Sequence, residues 1–125
     1  MKRIIATENA PKAVAAYSQA VEMNGTLFIS GQVPLDPATG KLVDGGIEEQ
    51  TLQVMKNIGA ILEAAGYSYS DVVKSTCFLS DIANFKAMND VYAQFYTENK
   101  PACSAFAVKD LPLGALIEIE TIAMK

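Results

Sequence analysis

Histidine and tryptophan are missing from this 125-residue chain, and cysteine occurs only as Cys77 and Cys103. Without histidine the chain lacks the commonest general base, the Ser-His and Cys-His nucleophile pairs and the usual zinc ligand sets. No metal site is therefore expected. Two cysteines without Cys-x-x-Cys spacing make no disulfide scaffold, so a reduced, cytoplasmic protein is the expectation. Cationic clusters are also scarce: ten Lys and Arg stand against 14 Asp and Glu, and no cluster exceeds Lys2-Arg3. A formal charge of -4 argues against general attraction to nucleic acid. No apolar run approaches the roughly 18 residues of a membrane span, and the basic N-terminus has no apolar core of the signal-peptide kind.

What is present is the composition of one globular domain over residues 1–125, half apolar and 19% charged. A short strand is expected over residues 2–6. Asn24-Gly25, between two β-prone runs, is a strong hairpin signal because both residues tolerate positive φ. Residues 33–46, with Pro34, Pro37, Gly40, Gly45 and Gly46, read as a turn-rich loop. From Ile47 the period changes. Ile47, Thr51, Val54, Met55, Ile58, Ile61, Leu62 and Ala65 share one helical face, and Gly66 is a plausible cap. A strand follows over residues 71–79, then a helix over 84–97 with Phe85, Met88, Tyr92, Phe95 and Tyr96 on one side. Beyond Pro101, Val108 and its neighbours are expected to pair with residues 116–124 across the turn Asp110–Gly114.

The expected order is β-ββ-α-β-α-ββ. Two helices with one apolar face each are most simply buried on the same face of one sheet. The other face then lacks a cover, and is either polar or meets other subunits.

Few residues carry chemistry. Glu118 and Glu120 are two apart on a strand and share a face. They read either as a solvated strand face or as a carboxylate that holds or activates a water in a cleft, and pattern does not separate the two. Cys103 reads as a small buried hydrophobe or as a reactive thiol, the latter needing a nearby cation that Lys100 and Lys109 do not obviously supply. Cys77, between Thr76 and Phe78, reads as packing. Tyr17 is expected half-buried with its hydroxyl on a rim. Gly31 permits either a bend or the close approach of a ligand, with the bend the commoner reason.

Several stretches together resemble the RidA/YjgF family over nearly the whole chain. They are Tyr17-Ser18-Gln19-Ala20, Ser30-Gly31-Gln32-Val33-Pro34, Glu49-Gln50-Thr51 with Asn57-Ile58, Asn89 with Tyr92, and Leu111-Pro112 followed by Ile117-Glu118-Ile119-Glu120. The resemblance implies a chorismate-mutase-like α+β fold, one mixed sheet with two helices on one face, assembling as a homotrimer with its sites between subunits. It further implies a small-molecule substrate, namely 2-imino acids or their enamine tautomers hydrolysed to 2-keto acids and ammonia, with no cofactor. By position, Glu118 would activate water, Tyr17 would contact substrate, and Ser30, Gly31 and Asn89 would line the pocket.

The chain departs from that family where it matters most for substrate. The family's Pro-x-Arg-Ser is here Pro101-Ala102-Cys103-Ser104, and the arginine so replaced would hold the substrate's carboxylate. Ala15-Ala16, Leu113, Thr121 and Ala105 also depart from the family pattern. Three readings follow. The chain is a deaminase impaired by loss of its carboxylate clamp, a ligand-binding member without that activity, or an altered or engineered protein in which Cys103 serves as nucleophile or attachment site, with Glu118 as a nearby base in the trimer's cleft. A nucleic-acid role is the least favoured.

Overall fold

The computed structural model describes all of residues 1–125. One sheet of six strands carries the fold: β1 (Arg3–Ile5), β2 (Ala20–Met23), β3 (Thr26–Gln32), β4 (Val72–Leu79), β5 (Ala102–Ala107) and β6 (Ile117–Met124). Two helices, α1 (Ile47–Ala65) and α2 (Phe85–Tyr92), cover one of its faces. This is the two-layer α+β arrangement expected from the amphipathic pattern.

Local chemistry accounts for the ends of these elements. Asn24 and Gly25 both take positive φ, 52° and 77°, and turn β2 into β3. The Glu49 carboxylate accepts the Gly46 N–H at 2.9 Å, filling an orphan donor at the start of α1. Gly66 ends α1 in the left-handed region at φ 82°, and Tyr67 donates back to the Leu62 carbonyl at 2.8 Å. Along α1 the face from Thr51 to Ala65 is buried as its period predicts. Gln50 and Asn57 are buried on it as well.

The strand order is β1-β2-β3-β6-β4-β5. β6 lies between β3 and β4, antiparallel to both, and β5 runs parallel to β4 at the edge. The expected pairing of Val108 and its neighbours with residues 116–124 is therefore not formed. The chain does reverse direction at Asp110–Gly114, but β4 sits between the two strands. The reason is burial. Ile117, Ile119, Thr121 and Ala123 are almost wholly enclosed, so β6 takes the centre of the sheet, whereas no residue of β5 is buried. The crossover through α2 returns β5 parallel to β4, as a β-α-β connection requires.

A second difference concerns α2. It ends at Tyr92 rather than near Thr97, because the amide donors of Gln94 and Phe95 bond to carbonyls three residues back and tighten the chain into turns. Met88, Tyr92 and Tyr96 pack inward as expected, while Phe85 is 41% exposed. The sheet face away from the helices is uncovered and partly apolar. Phe28, Phe106 and Met124 are each about half exposed there, and Phe78 meets Phe106 edge-on with ring centres 5.4 Å apart.

Candidate active site

A cleft of about 500 Å³ opens where the segment Pro11–Gln19, the end of β3, the turn Pro112–Gly114 and the start of β6 converge. Its walls include Tyr17, Ser30, Gly31, Leu113 and Glu118. Four residues singled out from the sequence thus meet in one place, although they come from distant parts of the chain.

Glu118 is the cleft's only anionic wall residue and Lys12 its only cationic one. The Glu118 carboxylate lies directly over the backbone of Gly31. A methyl group on Gly31 would be driven into it, 2.9 Å from the carboxyl carbon and closer still to an oxygen. Glycine thus leaves room for the Glu118 carboxylate, which a larger residue would push aside, at a point where the β3–β6 ladder shifts register between Ile29 and Gln32. Burial, and secondarily the neighbouring Glu120 carboxylate, holds the Glu118 pKa above its ordinary value. Glu118 and Glu120 do share a face, the one away from the helices.

Polar residues that the sequence pattern marked without explaining hold this cleft in shape. Gln19 is 5% exposed, and its side chain ties down the N-terminal segment. Its Oε1 accepts the Thr7 N–H at 2.7 Å, and its Nε2 donates to the carbonyls of Thr7 and Pro11 at 3.0 and 2.7 Å. The Ser30 hydroxyl donates to the Ser18 carbonyl at 2.6 Å, next to Tyr17. Its side chain is thus already engaged in holding the wall. On α1, the Asn57 Nδ2 donates to the carbonyls of Val33 and Leu35, at 3.3 and 3.0 Å. Gln50 Oε1 accepts the Leu116 N–H at 2.8 Å, two residues before Glu118. The signal that marks Gln50 and Asn57 is their position on an otherwise apolar helical face, where a polar group persists only if paired.

Tyr17 is half exposed at the rim, as its sequence context suggests. Leu113 is 67% exposed and holds φ at 60°, an uncommon conformation for a residue with a branched side chain.

Cys103 and Asn89 lie elsewhere. Cys103 is exposed on the edge strand β5, which corrects the reading of a buried hydrophobe. It stands opposite Ser75 and touches Cys77, Sγ to Sγ 3.9 Å, on the helix-covered face. Glu118 stands opposite Phe78 on the other face. With β4 between them, β6 and β5 are roughly 9–10 Å apart. Within one chain, Glu118 therefore cannot act as base for Cys103. Asn89 is exposed on α2, one turn before Tyr92, on the Cys103 side of the molecule. Cys77 is fully buried, and burial followed by the adjacent Cys103 pushes its thiol well up, in keeping with a packing role and not with a nucleophile. No group of three or more His, Cys, Asp or Glu gathers to hold a metal, and no helix is long and apolar enough to cross a membrane.

Residues 7–125 match the family described as Endoribonuclease L-PSP. The chain is 55% identical over 125 residues to a RutC family protein of Pyrococcus horikoshii, covering 100% of this chain and 99% of that one. It is 49% identical to the 2-iminobutanoate/2-iminopropanoate deaminase of Capra hircus, covering 100% of this chain and 91% of that protein. Among solved structures, a putative endoribonuclease of Thermotoga maritima superposes with a TM-score of 0.98 at 50% identity, covering 100% of this chain and 98% of that one.

Proposed function

The chain belongs to the Endoribonuclease L-PSP family, also called RidA/YjgF, and we propose that it is a hydrolase that converts 2-imino acids, or their enamine tautomers, to 2-keto acids and ammonia. The observation that carries this reading is the Glu118 carboxylate, seated over Gly31 in a cleft with a pKa held above its ordinary value. An imine carbon is already electrophilic, so the reaction needs an oriented water and one proton shuttle. Glu118 takes a proton from the water as its oxygen bonds to the imine carbon. The same carboxyl gives that proton to nitrogen, forming a carbinolamine, and then carries the hydroxyl proton to nitrogen as the C–N bond breaks, releasing ammonia and leaving the ketone. A carboxyl with a raised pKa is suited to both halves of this cycle, because it accepts and gives up the proton nearer to neutral pH. Related proteins named for this activity support the reading.

The reading places a second chain against the cleft. Each chain carries two half-sites, Glu118 with Tyr17 and Gly31 on one side, Cys103 with Asn89 on the other. The half-exposed Phe28, Phe106 and Met124 supply apolar surface for such an assembly, and a homotrimer with shared sites is the arrangement proposed. In it, Cys103 occupies the position of the carboxylate-binding arginine. Each charge-assisted bond lost with that arginine is worth about 1.5–3 kcal/mol, so capture of an imino acid is weakened by at least one or two decades.

The test is release of keto acid from a dehydratase-generated imine, with and without the protein. Acceleration over the buffer control is expected, and its loss in Glu118→Gln. A rate equal to the control would refute the reading. Cys103 in the arginine's place favours a second reading, a cleft kept for a neutral carbonyl compound without turnover. Chemical-shift changes with such compounds would support it, and none would count against it.

A further inference from the structure

We propose that the Glu118 cleft selects 2-imino acids with a large apolar side chain, of the leucine or phenylalanine kind, and that Leu113 is a specificity-determining residue for them. The inference rests on the reading of Glu118 as the base of an imine hydrolase and names the substrate side chain which that reading leaves open. Three observations support it.

The first is where exposed apolar side chains gather. Val14, Tyr17 and Leu113 are 85%, 50% and 67% exposed, come from opposite ends of the chain and all line this one cleft. Leu113 is held there by the turn Pro112–Gly114 at φ 60° and ψ 19°, a left-handed conformation that a branched side chain seldom adopts. Backbone strain of that kind concentrates where function fixes a side chain's position. Apolar walls around a few polar groups are the usual lining of a small-molecule site, and a ligand side chain of matching chemistry would take them out of water.

The second is what the polar wall residues offer. Gln19, Ser30 and Gln32 spend side-chain donors on the carbonyls of Pro11, Ser18 and Ser30. Glu118 and Lys12 are the charged groups of the wall, neither in an ion pair within the chain. With Cys103 in the place of the clamping arginine, affinity has to come more from apolar contact than from the substrate's carboxylate. Each methylene buried contributes about fourfold in affinity, so the three further carbons of a leucine-type side chain over a methyl group offset about one to two decades.

The third is room. A larger hollow of about 900 Å³ shares Val14, Tyr17 and Leu35 with the cleft and adds Ile4, Ala10 and Pro37 to its walls. A methyl side chain leaves this apolar space to water, whereas a branched or aromatic one reaches into it.

The test compares imines formed in place by a D-amino-acid oxidase from D-alanine, D-leucine and D-phenylalanine, with keto-acid release measured against the oxidase alone. kcat/KM for the two larger imines is expected to exceed that for the alanine-derived one by about 10–50-fold, chiefly through KM. Leu113→Lys should cut this preference by about fivefold or more, and Val14→Asn, at a second exposed position, should cut it too. Binding of pyruvate and of the keto acid of leucine, followed by chemical shift, reads the subsite without turnover, and the larger acid is expected to bind more tightly. Acceleration with equal kcat/KM for all three imines would overturn the inference and leave the hydrolase reading standing. No acceleration of any imine, with the keto acid of leucine still bound more tightly, would refute the hydrolase reading and uphold the apolar subsite. No acceleration and equal binding would overturn both. A Leu113→Lys variant that keeps the full preference, or that only separates the chains on size exclusion, would show that Leu113 meets protein and not substrate, and would overturn its assignment.

Discussion

The two sides of the molecule that carry its unusual chemistry are built to different standards. Around Glu118 nearly every polar group is engaged. Gln19, Ser30, Gln50 and Asn57 all spend their side chains on backbone groups of the loops and strands that form the wall. Around Cys103 the strand is an edge and no residue of it is buried. A fully satisfied network holds a catalytic group within narrow limits, whereas an exposed edge strand is suited to meeting another chain.

The sharpest way to break this contrast is Glu118→Gln. Removing the general base should lower the deamination rate by about 10²–10⁴-fold, and a smaller loss would move the base elsewhere. The same variant should be more stable at neutral pH. Glu118 has a folded pKa above its unfolded one, so the fold favours the neutral acid. Below the unfolded value the carboxyl is neutral in both states and costs nothing. As pH rises through the folded value, ionisation inside the cleft takes stability away. Thermal melts should therefore show the glutamine variant gaining at neutral pH and not at about pH 4, the unperturbed carboxylate range. The activity of the unaltered protein should fall as Glu118 becomes protonated, on a limb lying above that range.

Gly31→Ala comes next. Its methyl would displace the Glu118 carboxylate, and displacement of about 1 Å at a reacting group can cost about 10²-fold. Unchanged kcat/KM in this variant would mean that the close approach does not matter. On the other side, Cys103→Arg should raise kcat/KM for imino acids by about 10–100-fold through restored carboxylate capture. No gain would show that the two half-sites do not meet across chains. The smallest effect is expected for Ser30→Ala, a loss of about 0.5–1.5 kcal/mol in urea unfolding from one hydrogen bond, with kcat little altered. A large fall in kcat would instead put the hydroxyl on the substrate.

The sequence by itself determined the elements and the layer. The period of α1, the Asn24-Gly25 turn and the alternation in β6 are local properties, and local backbone and burial preferences suffice to read them. Motif resemblance also pointed to Glu118, Tyr17 and Gly31 before their convergence on one cleft could be seen. Three things needed the tertiary structure. The pairing of β6 with β3 and β4 and not with β5 depends on which strand buries more apolar surface, a comparison made only when all strands compete for the centre. The group that lies against Gly31 is 87 residues away in Glu118, and no local pattern encodes that meeting. The separation of Cys103 from Glu118 follows from the face each occupies, and a strand's face is assigned by its register with neighbours rather than by its own alternation.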